Sequence, residues 1–391
     1  MPTKRFDDYQ RALDERHASN RYRRPSTLGS DIDPAFVRLE SVRLINACSN
    51  DYLNLSRHEA VVEAVTAFAR ADGTGSTASR LVSGTRDCHT QFEDDFAKFL
   101  GRERALLFSS GYLANISIMP ALVGRRDNIY IDRLAHHSLY QGALLSGAAM
   151  HRFRHNDLEH LNELLSTHST GESRSLIVTE AIFSMDGDSP DIPTLCEIAD
   201  RHDALLYIDE AHSFGITGES GRGMCHGNPR VDLVGSMFGK AMGGMGAAVA
   251  CNDILSEYLI QHAGGFIYST ALPPSVVGGL QAALNIIPKM DQERSNLDGM
   301  QSMLRSGLLD AGFHVLGGNS PIIPVVIGTE TDTLSLAQHL RAMGILAGAI
   351  RPPTVPAAQS RIRITLTAAH RDEHIRQMLD AFRSWKATEI S

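Results

Sequence analysis

The stretch Leu205-Leu206-Tyr207-Ile208-Asp209-Glu210-Ala211-His212 decides how this chain is read: an apolar run of high strand propensity leads straight into two carboxylates and, shortly after, a histidine. A continuous apolar run without polar alternation suits a strand buried on both faces of a sheet. Working outward, Ala105-Leu106-Leu107-Phe108, Asn128-Ile129-Tyr130-Ile131, Ser175-Leu176-Ile177-Val178-Thr179 and Ala247-Ala248-Val249-Ala250 repeat the pattern, separated by segments of helix length. The alternation predicts an α/β fold with a mainly parallel sheet covered on both faces. Phe92, Phe96 and Phe99 recur at helical spacing and predict a core-facing stripe. After about residue 290 the pattern changes to a long helix, the run Pro321-Ile322-Ile323-Pro324-Val325-Val326-Ile327, a helix to Met343, the strand-like Arg361-Ile362-Arg363-Ile364-Thr365 and a final helix. The expected organisation is an N-terminal arm over 1–45, a large domain over 46–290 and a small α+β domain over 291–391.

With 391 residues, 43% hydrophobic and 21% charged, the chain can build two cores. A formal net charge of -8 gives no broad basic field, although Arg21 to Arg24 is locally basic, so no nucleic-acid partner is expected. The opening Met-Pro-Thr-Lys-Arg-Phe-Asp-Asp lacks the apolar core of a signal peptide, and no run reaches the roughly 18 apolar residues of a membrane helix. A soluble, cytoplasmic protein with no membrane partner is expected. Cys48, Cys88, Cys196, Cys225 and Cys251 are scattered and form no C-x-x-C, which fits reduced core thiols and no metal site. Gly73-Thr74-Gly75-Ser76-Thr77-Ala78 satisfies a loose dinucleotide fingerprint, but such a motif must follow a strand. The preceding Val61 to Ala69 is helical in composition, so these glycines are expected to shape a loop before Ser79-Arg80.

The chemistry concentrates on Asp209 and on Lys240, the latter embedded in Ser236-Met237-Phe238-Gly239-Lys240-Ala241-Met242-Gly243-Gly244. Each lies just past a strand candidate, and the carboxyl ends of strands line the ligand crevice of open α/β sheets. A lysine among glycines and apolar residues can lose solvent and have its ammonium form disfavoured, as a nucleophilic amine requires. A carboxylate at a strand end can hold a pyridine nitrogen protonated. His212, three residues beyond Asp209, is placed to help orient such a ring.

Ile208-Asp209-Glu210-Ala211-His212, followed about thirty residues later by Gly239-Lys240, resembles the Asp-x-Ala-His and Gly-Lys pattern of the α-oxoamine synthases, a family of fold-type-I pyridoxal-phosphate enzymes. The resemblance runs from about Arg11 to the C-terminal helix. It includes Ser49-Asn50-Asp51-Tyr52-Leu53, Phe183-Ser184-Met185-Asp186-Gly187-Asp188 and Ile267-Tyr268-Ser269-Thr270-Ala271-Leu272-Pro273-Pro274. Ile350-Arg351-Pro352-Pro353-Thr354-Val355-Pro356 is the most telling segment, because sister enzymes usually differ there, and it points to the branch that makes 8-amino-7-oxononanoate for biotin.

The resemblance implies a large domain plus a smaller C-terminal one, with pyridoxal 5'-phosphate held on Lys240 as a Schiff base. It implies backbone N–H groups of Gly111 and Tyr112 on the cofactor phosphate, in keeping with a helix N-terminus as an anion site. It further implies His136 stacked on the ring, Ser184 near its phenolic oxygen, and Asn50 and Arg363 on the amino-acid carboxylate, beside Asp209 read for the ring nitrogen and His212 for the ring or its phenolic oxygen. For Arg361, whose side chain should face the other way along the strand, a structural role is the alternative reading. Arg23 and Thr354 match acyl-substrate contacts. Ser269 and Thr270 match residues that reach the neighbouring subunit's phosphate, which implies a homodimer with shared sites. The implied reaction condenses L-alanine with a pimeloyl thioester, carried on coenzyme A or an acyl carrier protein, with loss of carbon dioxide. The alternatives are a sister synthase using glycine or serine and a catalytically silent binding protein that keeps the fold. Two positions depart from the pattern: Met237 stands where a phosphate-binding threonine is usual, and Asn54 where glycine is common.

Overall fold

The computed structural model describes residues 4–169, 171 and 173–389. The chain forms two compact units: one of Asn50–Ser184 with Asp188–Ser295, the other of the described residues up to Ser49, Met185–Gly187 and those from Asn296 onward. Residues 4–45, expected as an N-terminal arm, fall in the same unit as the C-terminal segment.

The larger unit is α/β and carries a seven-stranded sheet in the order 104–108, 247–251, 233–237, 205–209, 175–180, 128–132, 149–153. The last five run parallel, and Ala247–Cys251 lies antiparallel between its two neighbours. Strands 128–132, 175–180 and 233–237 are buried at every residue, which is why they read as unbroken apolar runs. Ala149–Phe153 escapes a search for such runs because it is an edge strand bearing His151 and Arg152. The parallel register sets Glu180 opposite Asp209 and Asp209 opposite Gly235, so strands 175–180 and 205–209 end level at their carboxyl side while strand 233–237 runs two residues further, to Met237. A Cβ on Gly235 would overlap the Tyr207 hydroxyl, and glycine there leaves that group its space.

Phe92 and Phe96 of helix Asp87–Leu100 are fully buried, and both rings pack edge-on against Phe238, two residues before Lys240. The expected stripe thus braces the lysine segment. Helix Glu59–Asp72 ends at Gly73 with φ +82°, and a loop leads to the helical turn Arg80–Gly84, so the glycine-rich segment follows a helix. Buried Arg80 pairs with Glu93 at 2.7 Å.

The smaller unit has its own seven-stranded sheet, in which Val42–Ala47 pairs in parallel with Ile345–Ile350, beside Ser360–Thr365 and Ile322–Gly328. Glu330–Ala342 and Asp372–Glu389 are its expected helices. Asn54, in the larger unit, takes left-handed backbone at φ 56° and ψ 37°, which asparagine tolerates where glycine is more usual. Among the described residues no helix is long and apolar enough to cross a membrane.

Candidate active site

At the carboxyl ends of strands 175–180, 205–209 and 233–237 lies a cavity of about 300 Å³, wholly within the larger unit. Its walls bring together Asn50, Gly111, Tyr112, His136, Asp209, His212 and Lys240, residues far apart in sequence. Met237, Asn115, Ser138 and Glu180 line it as well.

One end is the N-terminus of helix Gly111–Leu122. Ser110 caps it by accepting from the Leu113 N–H at 3.1 Å. The first-turn N–H groups have no acceptor inside the helix, and the helix dipole adds partial positive charge, so this end suits a phosphate. Gly111 also leaves room for the Met237 side chain, because a Cβ there would overlap Met237 Sδ. The thioether therefore rests on the helix start and offers no hydroxyl. Ser236 points to the other side of its strand, fully buried, and its Oγ has no hydrogen-bond partner among the described residues, so it does not substitute.

At the strand ends, Asp209 is 3% exposed and accepts from the Ala211 N–H at 2.9 Å and Asn115 Nδ2 at 3.0 Å. His136 caps helix His137–Ser146, and its Nδ1 lies 2.7 Å from Ser138 Oγ. Burial holds the His136 imidazole below its usual range, with the Lys240 charge adding to the effect and Asp209 opposing it. Its backbone N–H donates at 2.6 Å to Glu180, a fully buried carboxyl that desolvation, with the Asp209 charge beside it, pushes up to about 8. His212 is buried, and its Nδ1 sits 2.6 Å from the hydroxyl of buried Tyr52. Lys240 is half-buried beside Gly239 and Gly244 on the cavity wall.

Other expected residues lie elsewhere. Ser184 is buried on the loop after strand 175–180 and donates its backbone N–H to Glu180. Ser269 is half-buried and Thr270 exposed, bridged to Ser79, and neither lines this cavity. In the smaller unit Arg23 donates to Thr354 Oγ1 at 2.9 Å, and Arg363 donates to Thr365 Oγ1 at 2.6 Å. Arg361 is buried and ion-paired with Asp186, as befits a structural arginine. Sequence reading passed over Glu180, Asn115, Ser138 and Tyr52. Glu180 ends its strand as Asp209 does and was open to the same argument, whereas Asn115 and Ser138 become visible only once the two helices are placed.

The donor set matches pyridoxal phosphate in each of its parts: helix N–H groups for the phosphate, a carboxylate for a protonated ring nitrogen, and an amine for the aldehyde carbon. The aminotransferase class I and II family matches residues 42–382. The 8-amino-7-oxononanoate synthase of Gluconacetobacter diazotrophicus is 42% identical over 385 residues, covering 96% of each chain. Among solved structures, a serine palmitoyltransferase from S. paucimobilis with bound PLP superposes with a TM-score of 0.92 at 26% identity, covering 100% of each chain. An 8-amino-7-oxononanoate synthase from Francisella tularensis gives 0.78 at 29% identity, covering 89% of this chain and 99% of that one. By its sequence, its fold and the donor set of its cavity, this chain belongs to the aminotransferase class I and II family, as a pyridoxal-phosphate enzyme of the 8-amino-7-oxononanoate synthase group.

Proposed function

We infer that the enzyme joins L-alanine to a pimeloyl thioester, on coenzyme A or an acyl carrier protein, releasing carbon dioxide, the carrier thiol and 8-amino-7-oxononanoate on the route to biotin. The observation that carries this reading is the single cavity in which Lys240, Asp209, His136 and the helix start at Gly111 meet. Full-length similarity to enzymes named for that product supports the choice of substrates.

In this reading Lys240 holds the cofactor covalently, Asp209 holds its ring nitrogen, and the N–H groups of Gly111 and Tyr112 hold its phosphate. Ser184 and His212 serve its phenolic oxygen, with Tyr52 fixing the His212 ring. When bound, the cofactor supplies an electron sink for negative charge at the amino-acid α-carbon. Asn50 and Arg363 bind the alanine carboxylate, for which a guanidinium fork is well suited. Once the alanine nitrogen has taken its place, the freed Lys240 amine would take the α-proton and later return one. His136 hydrogen-bonds the thioester carbonyl, and Arg23 and Thr354 bind the acyl substrate. Ser269 and Thr270, outside this chain's own cavity, serve the phosphate of a partner subunit in a homodimer.

The high TM-score to a serine palmitoyltransferase favours one competing reading, a sister synthase that takes serine. A product assay with alanine, glycine and serine against acyl thioesters of graded length decides between them. The expected outcome is preference for alanine and the pimeloyl chain; preference for serine with a long acyl chain overturns the assignment.

A further inference from the structure

We propose that Asn115 is a positioning residue whose one side-chain amide orients Asp209 and, through Ser138, fixes which ring nitrogen of His136 carries the proton. The proposal rests on the reading that this cavity holds pyridoxal phosphate over Asp209 and beside His136.

Asn115 lies one helical turn beyond Gly111, so it faces the same cavity, and it is 1% exposed. Its Nδ2 donates at 3.0 Å to Asp209 Oδ2 and at 2.9 Å to Ser138 Oγ, and its Oδ1 accepts from the Tyr207 hydroxyl. The amide has only one workable orientation. Flipped, it would set Oδ1 against the Asp209 oxygen, two acceptors at hydrogen-bond distance inside a buried site. Room for the Tyr207 hydroxyl exists because residue 235 is glycine.

The consequence passes to Ser138, itself 1% exposed. Its oxygen accepts from Asn115, so its one hydrogen is free to point to His136 Nδ1, 2.7 Å away. The Ser138 backbone N–H reaches the same Nδ1 at 3.3 Å. Two donors thus converge on Nδ1, which acts as an acceptor and leaves the hydrogen on Nε2. Nearby charges on Asp209 and Lys240, with His137 next in sequence, act on the same ring. His136 in this state offers an N–H to the cavity and no free base nitrogen. It is therefore a donor to a substrate oxygen, and proton removal falls to Lys240.

The test uses the holoenzyme with ¹⁵N-labelled histidine, the His136 signals being assigned by their loss in His136→Gln. Wild type should show a neutral ring with Nδ1 unprotonated and Nε2 protonated. Ser138→Ala should move His136 toward a mixture of tautomers while leaving cofactor affinity within about twofold. Asn115→Ala should move His136 in the same way and also weaken cofactor binding by about tenfold or more in equilibrium dialysis, since it removes a bond to a charged group. A protonated Nδ1 in wild type overturns the proposal. So does a His136 signal unmoved by Ser138→Ala, which remains decisive if Asn115→Ala does not fold. None of these readouts depends on which substrates are used, so a failed product assay would count against the proposed function and leave the tautomer result standing.

Discussion

Replacing Glu180 by glutamine should flatten the dependence of stability on pH. Burial, reinforced by the Asp209 charge, raises this carboxyl from 4.5 to about 8 in the folded chain. Between those values the native state holds a proton that the unfolded chain has released, so stability is greatest below the lower value and falls as pH rises through the upper one. Between pH 6 and pH 8 the loss from this one group is about 2 kcal/mol. His136 works the other way, since its lowered imidazole makes stability rise as pH climbs toward 6.5. Glu210, buried and raised to about 7, adds to the fall. Both contributions persist in Glu180→Gln, so the difference between the two proteins isolates Glu180. Urea unfolding of the cofactor-free forms at the two pH values measures it. The glutamine also loses one of the bonds from the His136 and Ser184 N–H groups, which lowers the variant uniformly without tilting its slope. Matching slopes in the two proteins would refute the claim that Glu180 is protonated in the native fold.

Borohydride reduction of the holoenzyme followed by peptide mass analysis should place the cofactor on Lys240, and Lys240→Ala should abolish turnover; an adduct on another lysine defeats the assignment. A subunit with Lys240→Ala and one with Thr270→Ala should complement in mixed dimers if Thr270 serves the partner's site, and exchange without recovered activity counts against shared sites. Met237→Thr exchanges the thioether at the start of helix 111–122 for a hydroxyl able to make a charge-assisted bond of roughly 1.5–3 kcal/mol, so pyridoxal-phosphate affinity should rise about tenfold or more. Unchanged affinity in equilibrium dialysis means the N–H groups of Gly111 and Tyr112 already saturate the phosphate.

What the sequence made legible follows from burial. Strands 128–132, 175–180 and 205–209 announce themselves because both their faces are covered, and the residues that follow them inherit a position at the sheet's carboxyl edge. Asp209 and His212 could be found that way, and Lys240 by its setting among glycines and apolar residues. Val42–Ala47 and Ile345–Ile350 were missed: Arg43 and Asn46 break the apolar run of the first, the small residues Ala347-Gly348-Ala349 give the second weak strand propensity, and their pairing joins opposite ends of the chain. Asn115 and Ser138 were missed because their significance lies in which atoms meet, a 2.9 Å contact between two helices that no spacing rule encodes.

That pairing of Ile45 with Ile345 sets a timetable for biosynthesis. Strand 42–47 leaves the ribosome about 300 residues ahead of its partner, a wait of roughly 15–60 s at bacterial or eukaryotic elongation speeds of about 5–20 residues per second. The larger unit is complete by residue 295 and can fold during that interval, whereas the N-terminal strands can only wait or be shielded by a chaperone. Any transcript cut short before codon 345 yields a polypeptide whose strand 42–47 keeps one edge open to pairing with other nascent chains.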